Sequence, residues 1–381
     1  MSMANTKGTE TIMSMTPLRN NVALAIDGGG IKGLIVARAL MALEDELGGQ
    51  PLIKHPQLKV LAGTSTGAII TAAIAMGMKA EEITQLYVSM GQEVFPRLTP
   101  RWLPKAAEQA DELERMARKP FLYSNEKLID LLKKVIQDKM GNADLTLAEL
   151  NERLGPDKVL ILTTVNITAR RTRLLKSHQE ASGDWKLWEA ILASSSAPIA
   201  LPVWSRADRA GKPAYYTDGG VGSYGNPAYV VAQEAIVFRG YAPEDVSVLS
   251  FGTGWVNAEN FEKASGVPTK WHGLNWAMNA PLLLLDDAAR NQSLEILEGF
   301  GDGKVDFRRF QFALETDFSS DGYGDDATYA LMNQLGDEVG ERIRHDQFAP
   351  NADPQFDPEG LYDLQMEHRA EKAASRARHS K

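Results

Sequence analysis

The chain of 381 residues contains no cysteine, which removes disulfides, a thiol nucleophile and a Cys-ligated zinc site. It also lacks a basic excess. Lys and Arg total 41 against 50 Asp and Glu, a formal net charge of −9. That balance argues against a general nucleic-acid binder, and an anionic membrane would repel it at long range unless a local basic patch makes contact. The six histidines are scattered along the chain. They form no ligand cluster, so neither a metal nor another cofactor is expected. No apolar run approaches the ~18 residues of a spanning helix. The first twenty residues have no apolar core of roughly 7–15 residues such as a secretory signal needs. A soluble, cytoplasmic protein is therefore expected, with secretion by a route that uses no cleaved signal left open.

What is present is ordinary for a folded protein: 44% hydrophobic and 24% charged residues, which excludes wholesale disorder. At ~150 residues per domain the length suits two to three domains, or one large α/β domain. Asn21–Ile26, Leu58–Ala62, Val159–Val165 and Val246–Phe251 are short apolar runs that read as core strands. Arg170–Lys176 reads as a partner strand. Helical spacing is predicted over Gly33–Leu47, Ala68–Met78, Ala80–Met90, Lys105–Arg118, Ser124–Lys139, Trp185–Ala193, Pro227–Phe238, Leu274–Phe300 and Thr328–Ile343. The opening order of strand, glycine turn, helix, strand, glycine turn, helix implies parallel strands with right-handed crossovers.

Three glycine-rich turns follow strands. Gly63-Thr64-Ser65-Thr66-Gly67 is a G-x-S-x-G between strand and helix, the setting of a nucleophile elbow. The helix N-terminus would bring backbone N–H groups and positive dipole to developing negative charge. Asp27-Gly28-Gly29-Gly30-Ile31-Lys32-Gly33 has several readings. As a dinucleotide fingerprint it lacks the acid at the end of the second strand, and Asp27 would repel a pyrophosphate. A sugar-kinase-like turn would need a strand where Leu34–Leu47 is helical. An oxyanion hole fits successive unobstructed N–H groups, and a plain tight turn remains the bland alternative. The third turn, Asp218-Gly219-Gly220, sets a carboxylate at a strand end. Ser65 needs a base, and none of His55, His178, His272, His345, His368 or His379 stands in a glycine turn after a strand. Asp218 can take the serine proton directly, the more readily if burial raises its pKa. His272 and His345 stay as the rival bases of a triad.

Together these turns resemble the patatin-like phospholipase family, which is related to cytosolic phospholipase A2. The Ala193-Ser-Ser-Ser-Ala-Pro198 stretch, Asn226-Pro227 and Ser250-Phe-Gly-Thr-Gly254 extend the likeness from about Asn21 to Gly254. The resemblance implies a three-layer α/β/α fold with a mostly parallel central sheet and a helical elaboration. It implies hydrolysis of acyl esters of lipids through a Ser–Asp dyad. Carried over by position, Ser65 is the nucleophile, Asp218 the base, and Gly28, Gly29 and Gly30 supply oxyanion donors. Lys32 stands where the family usually has Arg, which keeps the charge but loses the planar fork. The expected organisation is a leader over 1–20, a catalytic domain over 21–345 with its motifs in 21–254, and a polar tail over 346–381.

The expected substrate is a phospholipid or other acyl ester, with no nucleic-acid partner. Val94–Lys105 carries Phe95, Trp102, three cations and three prolines without an acid. It reads either as a peripheral membrane contact or as a rigid connector whose Phe95 and Trp102 pack on the core. Trp271–Leu285 reads as a core helix or as the lining of an acyl cavity. Rival functions are a membrane-degrading effector of the same chemistry switched on by a ligand, a nucleotide-binding enzyme using Gly28–Gly33, and a non-enzymatic lipid-binding protein. The sequence leaves the oligomeric state open.

Overall fold

The computed structural model describes residues 15–95, 114–115, 118–208, 210–300, 304–315, 326–347 and 357–379. A strand buried on both faces sends alternate side chains into two cores. β1 (Asn21–Ile26) does so, with Leu24 and Ile26 in one core and Ala23 and Ala25 in the other. β2 (Leu58–Gly63) divides the same way, Leu61 against Val60 and Ala62. β3 (Val159–Asn166), β4 (Arg171–Lys176), β5 (Trp204–Ala207), β6 (Pro213–Asp218) and β7 (Val246–Phe251) follow. β8 (Trp255–Val256) pairs only with β10 (Ala313–Leu314), and β9 (Asp306–Phe310) joins the main sheet.

The eight strands run β5-β6-β3-β2-β1-β7-β9, with β4 also on β3. All pairs among β1, β2, β3, β7 and β9 are parallel. Those made by β4, β5 and β6 are antiparallel. β3 is long enough to serve two neighbours in succession. Val159–Leu162 lies beside β2, and Thr164–Asn166 beside the end of β6. This brings Asp218, paired with Thr164, to the carboxyl end of β2, where Ser65 follows.

α1 (Gly33–Glu46), α2 (Thr66–Ala75), α3 (Ala80–Glu93), α4 (Asn125–Met140), α5 (Leu147–Leu154) and α6 (Leu187–Ser195) cover one face with their apolar stripes. α7 (Ala228–Gln233) and the end of α9 (Gly273–Gly299) cover the other, while α8 (Ala258–Ser265) lies outside both cores. α10 (Asp326–Arg344) packs along α1, and α11 (Leu361–His379) runs against α9. The three-layer α/β/α architecture with a mostly parallel sheet is as the sequence predicts. Local signals set several ends. Ser124 accepts a hydrogen bond from the Glu126 amide at 3.2 Å to open α4, and Thr146 with Glu149 forms a capping box on α5.

Some expectations change. The segment predicted as a polar tail over 346–381 carries α11, with Glu359, Leu361 and Gln365 buried at its start. Of the predicted leader, Met15 and Leu18 are buried, and Arg308 donates to the Thr16 carbonyl at 3.0 Å. β9 was invisible to a hydropathy pattern because Asp306, Arg308 and Arg309 are charged, yet both arginines are buried and paired. The helix predicted over Lys105–Arg118 lies mostly outside the described residues. Trp271–Leu285 is not a core helix: Trp276 and Leu284 are exposed, while Asn279 and Leu285 face the cavity described below. Among the described residues no helix is long and apolar enough to cross a membrane.

Candidate active site

The elbow is built by sterics. Ser65 sits at φ 55°, a region a residue with a Cβ rarely enters. The turn closes only because its glycines lack side chains. A Cβ on Gly63 would overlap the Gly67 carbonyl, and one on Gly67 would overlap the Ile26 carbonyl. Side chains lock the flanks. The Ser65 amide donates to Ser194 Oγ at 3.1 Å, Thr64 Oγ1 donates to the Tyr224 carbonyl at 2.5 Å, and Thr64 lies 2.7 Å from Thr163 Oγ1. The Tyr87 hydroxyl donates to the Thr66 carbonyl at 3.0 Å, tying the start of α2 to α3.

Asp218 ends β6 and is buried. Its amide donates to the Ser196 carbonyl at 3.0 Å, and its Oδ1 accepts from the Gly220 amide at 2.7 Å. The Ser65 hydroxyl lies near enough to favour its ionised form. Burial lifts the carboxyl to about 6, against the lowering effect of Ser65 and the Gly220 amide. Thus the Ser194–Ser196 stretch supports both residues: Ser194 holds the Ser65 turn and Ser196 the strand end at Asp218.

The Gly28–Gly30 loop stands opposite. Gly28 faces Ser65 so closely that a Cβ there would lie 3.3 Å from the serine Cβ. The Gly28 amide is already engaged by the Gly225 carbonyl at 2.9 Å, whereas among the described residues the Gly29 and Gly30 amides meet no protein acceptor. Thr253 Oγ1 donates to the Gly28 carbonyl at 2.6 Å, and its side chain fills the space where a Gly29 Cβ would be. The loop, Ser65 and Asp218 line one cavity of about 460 Å³, with Pro198, Val221, Trp255, Phe261 and Leu285 on its apolar side. Arg309, Gln311 and Glu359 form its polar floor.

No histidine lines this cavity among the described residues. His178 lies 3.6 Å from Glu234, and His368 is bonded to Glu298 at 2.8 Å. No group of three His, Asp or Glu is placed to hold a metal ion among the described residues. Phe95, read either as a membrane contact or as a residue packed on the core, packs edge-on against Tyr123 with ring centroids 5.2 Å apart and joins the core. Its apolar area is better removed from water there than at a surface. Trp102 lies outside the described residues. Sequence reasoning missed Thr253, Arg309, Gln311 and Glu359 as neighbours of the Gly28–Gly30 loop. Only Thr253 stood in a turn already singled out.

The geometry is that of a three-layer α/β protein with a serine at φ 55° at the carboxyl end of a parallel strand, facing a glycine loop and sharing a cavity with a buried aspartate. Residues 24–232, more than half of the chain, match the family model described as patatin-like phospholipase, and the chain belongs to that family. It is 27% identical over 260 residues to an intracellular phospholipase A2 of Caenorhabditis elegans, covering 64% of this chain and 20% of that protein. It is 27% identical over 358 residues to a cGAMP-activated phospholipase of Vibrio cholerae, covering 88% and 93%. Patatin-like protein 2 of Arabidopsis thaliana is 29% identical over 303 residues, covering 72% and 70%. The chain thus spans about a fifth of the worm relative and most of the bacterial one.

Proposed function

We propose that this protein hydrolyses acyl esters of lipids, phospholipids among them, through Ser65 and Asp218. Ser65 Oγ attacks the ester carbonyl while Asp218 takes its proton. The Gly29 and Gly30 amides, with that of Thr66 at the head of α2, receive the oxyanion. Asp218 then protonates the leaving alcohol and activates water to release the acyl group from Ser65. A carboxyl near pKa 6 is mostly ionised at neutral pH yet basic enough to accept a proton. The apolar cavity wall suits an acyl chain, and the volume is of the size that holds small ligands. The observation that carries this reading is a serine held at φ 55° that shares one cavity with a buried aspartate and faces a glycine loop with unengaged amides.

The test is turnover of a panel of p-nitrophenyl esters and phospholipids. Folded Ser65→Ala is expected to lose at least about 10³-fold in kcat. Retained turnover would end the proposal.

A second reading is the same hydrolase under ligand control. It is favoured by the alignment with the Vibrio relative, which continues past the family match over 88% of the chain. That relative is named as cGAMP-activated. Low basal turnover that rises on adding cGAMP would select this reading, and equal turnover with and without it would remove it.

A further inference from the structure

The Gly28–Gly30 loop has no side chains with which to anchor itself, and glycine carries the largest backbone entropy. Behind it Ile31 is buried in the core, and in front of it stands a polar handle, Asp27. Asp27 is held from below. The parallel register sets Ala25 beside Ser250 and Ser250 beside Arg309, so Arg309 rises under the start of the loop. Arg309 grips Asp27 with both arms of its fork, NH1 to Oδ1 at 3.0 Å and NH2 to Oδ2 at 2.7 Å. It grips Glu359 with Nε at 3.2 Å and NH2 at 2.7 Å, and NH1 also donates to Ser250 Oγ at 2.8 Å. All five guanidinium N–H donors therefore meet acceptors, in a fully buried setting.

A second arm closes the circuit. Gln311 Nε2 donates to Glu359 Oε1 at 2.8 Å, and Gln311 Oε1 accepts from the Gly254 amide at 2.8 Å. Gly254 follows Thr253, which holds the Gly28 carbonyl. The ring runs Glu359, Arg309, Asp27, the glycine loop, Thr253, Gln311 and back to Glu359. A buried guanidinium between two carboxylates is weak evidence of stabilisation, since an apolar cluster of equal volume serves as well. What this cluster does that an apolar one cannot is fix the direction of the loop. Arg309, Gln311 and Glu359 all lie beyond residues 24–232 of the family match.

We propose that Arg309 is a positioning residue for the hydrolysis: by clamping Asp27 it aims the Gly29 and Gly30 amides at the oxyanion, and through Glu359 it makes the segment 357–379 part of the active centre. This role rests on the Ser65–Asp218 reading. Arg309 touches no reacting atom and acts through the loop, so its loss is felt in the transition state more than in substrate binding.

The test compares the full chain with Arg309→Met, Arg309→Lys, Glu359→Gln and Ser65→Ala on p-nitrophenyl butyrate. Active sites are counted by stoichiometric labelling of Ser65 with a fluorophosphonate, so kcat refers to folded, reactive protein. Arg309→Met is expected to lower kcat per labelled site about 100-fold with KM within about threefold. Arg309→Lys, which keeps the charge without the fork, is expected to recover about tenfold of that, and Glu359→Gln to cost about tenfold. A purely structural role would lower the melting temperature and the number of labelled sites while leaving kcat per site at the wild-type value; that result would overturn the proposal. So would a raised KM at constant kcat. If Arg309→Met fails to fold, Arg309→Lys decides by the same criteria. Wild-type turnover by Ser65→Ala would instead remove the reaction, and this role with it, whatever the Arg309 variants do.

Discussion

Asp218 sets chemistry against stability at the scale of one residue. Burial is the largest influence on it, and the carboxyl rises to about 6 from about 3.9 in an unfolded chain. The folded state then binds the proton more tightly, so stability falls as pH rises through the window from about 4 to 6 and stays lowered above it. Asp218→Asn removes the charge and keeps the shape. It is expected to be more stable than wild type at pH 7, by on the order of 2–3 kcal/mol, with no gain at pH 3. It should also have no esterase activity. Thermal unfolding at the two pH values, beside an activity assay, checks both halves. Asp27 is also raised to about 6, by burial that outweighs Arg309, so wild-type stability falls in the same window for two reasons. The comparison with Asp218→Asn isolates one of them. Wild-type kcat/KM should decline below a midpoint near pH 6 as Asp218 is protonated.

At the scale of the element, the glycines divide into two kinds. Gly67 and Gly77 lie at opposite ends of α2. A Cβ on Gly67 runs into the Ile26 carbonyl, which is backbone in the central strand and cannot move aside. Gly77, at φ +82°, has nothing within 4 Å of its would-be Cβ and pays only the left-handed conformational cost. Gly77→Ala is therefore expected to cost about 1 kcal/mol and leave turnover unchanged. Gly67→Ala should cost roughly 3 kcal/mol or more and displace the elbow. Urea unfolding of both variants measures the difference, and equal costs would contradict the steric account. The same reasoning explains why α2 is entirely buried: its start is wedged against β1, and every residue from Thr66 to Ala75 faces protein.

Across the whole molecule, described elements beyond Gly254 join the sheet and the core. β9 extends the parallel sheet, and α10 buries Met332, Val339 and Ile343 in the same core as α1, α2 and α3. α10 approaches α1 closely because Gly336 and Gly340 face it. A Cβ at Gly336 would lie 2.5 Å from the Arg38 Cβ and 2.8 Å from the Ile35 carbonyl. Gly336→Val is expected to force the helices apart and destabilise the protein by roughly 1–3 kcal/mol. Neither Gly336 nor its neighbours line the cavity, so kcat per labelled Ser65 should hold. A calorimetric scan with active-site titration checks this; an unchanged melting temperature would show that the contact yields without strain.

What could be read in the sequence is what depends on neighbours along the chain. A glycine turn after an apolar strand is a local event, so the turns at Gly28–Gly30, Ser65 and Asp218 could be read along the chain, and with them the parallel sheet, while the roles expected of these residues came from the resemblance their combination bears. What only the tertiary structure decided depends on groups far apart in sequence. Gly28 differs from Gly29 and Gly30 only because Gly225 reaches its amide. Phe95 belongs to the core because Tyr123 is there to receive it. Arg309 lay in a segment that no pattern marked as a strand, and Glu359 in the predicted polar tail. Arg309 meets Asp27 across 282 positions of chain and Glu359 across 50. Charge in a sequence signals exposure until a partner is found, and the partner here is brought by sheet register and helix packing, which no local pattern encodes.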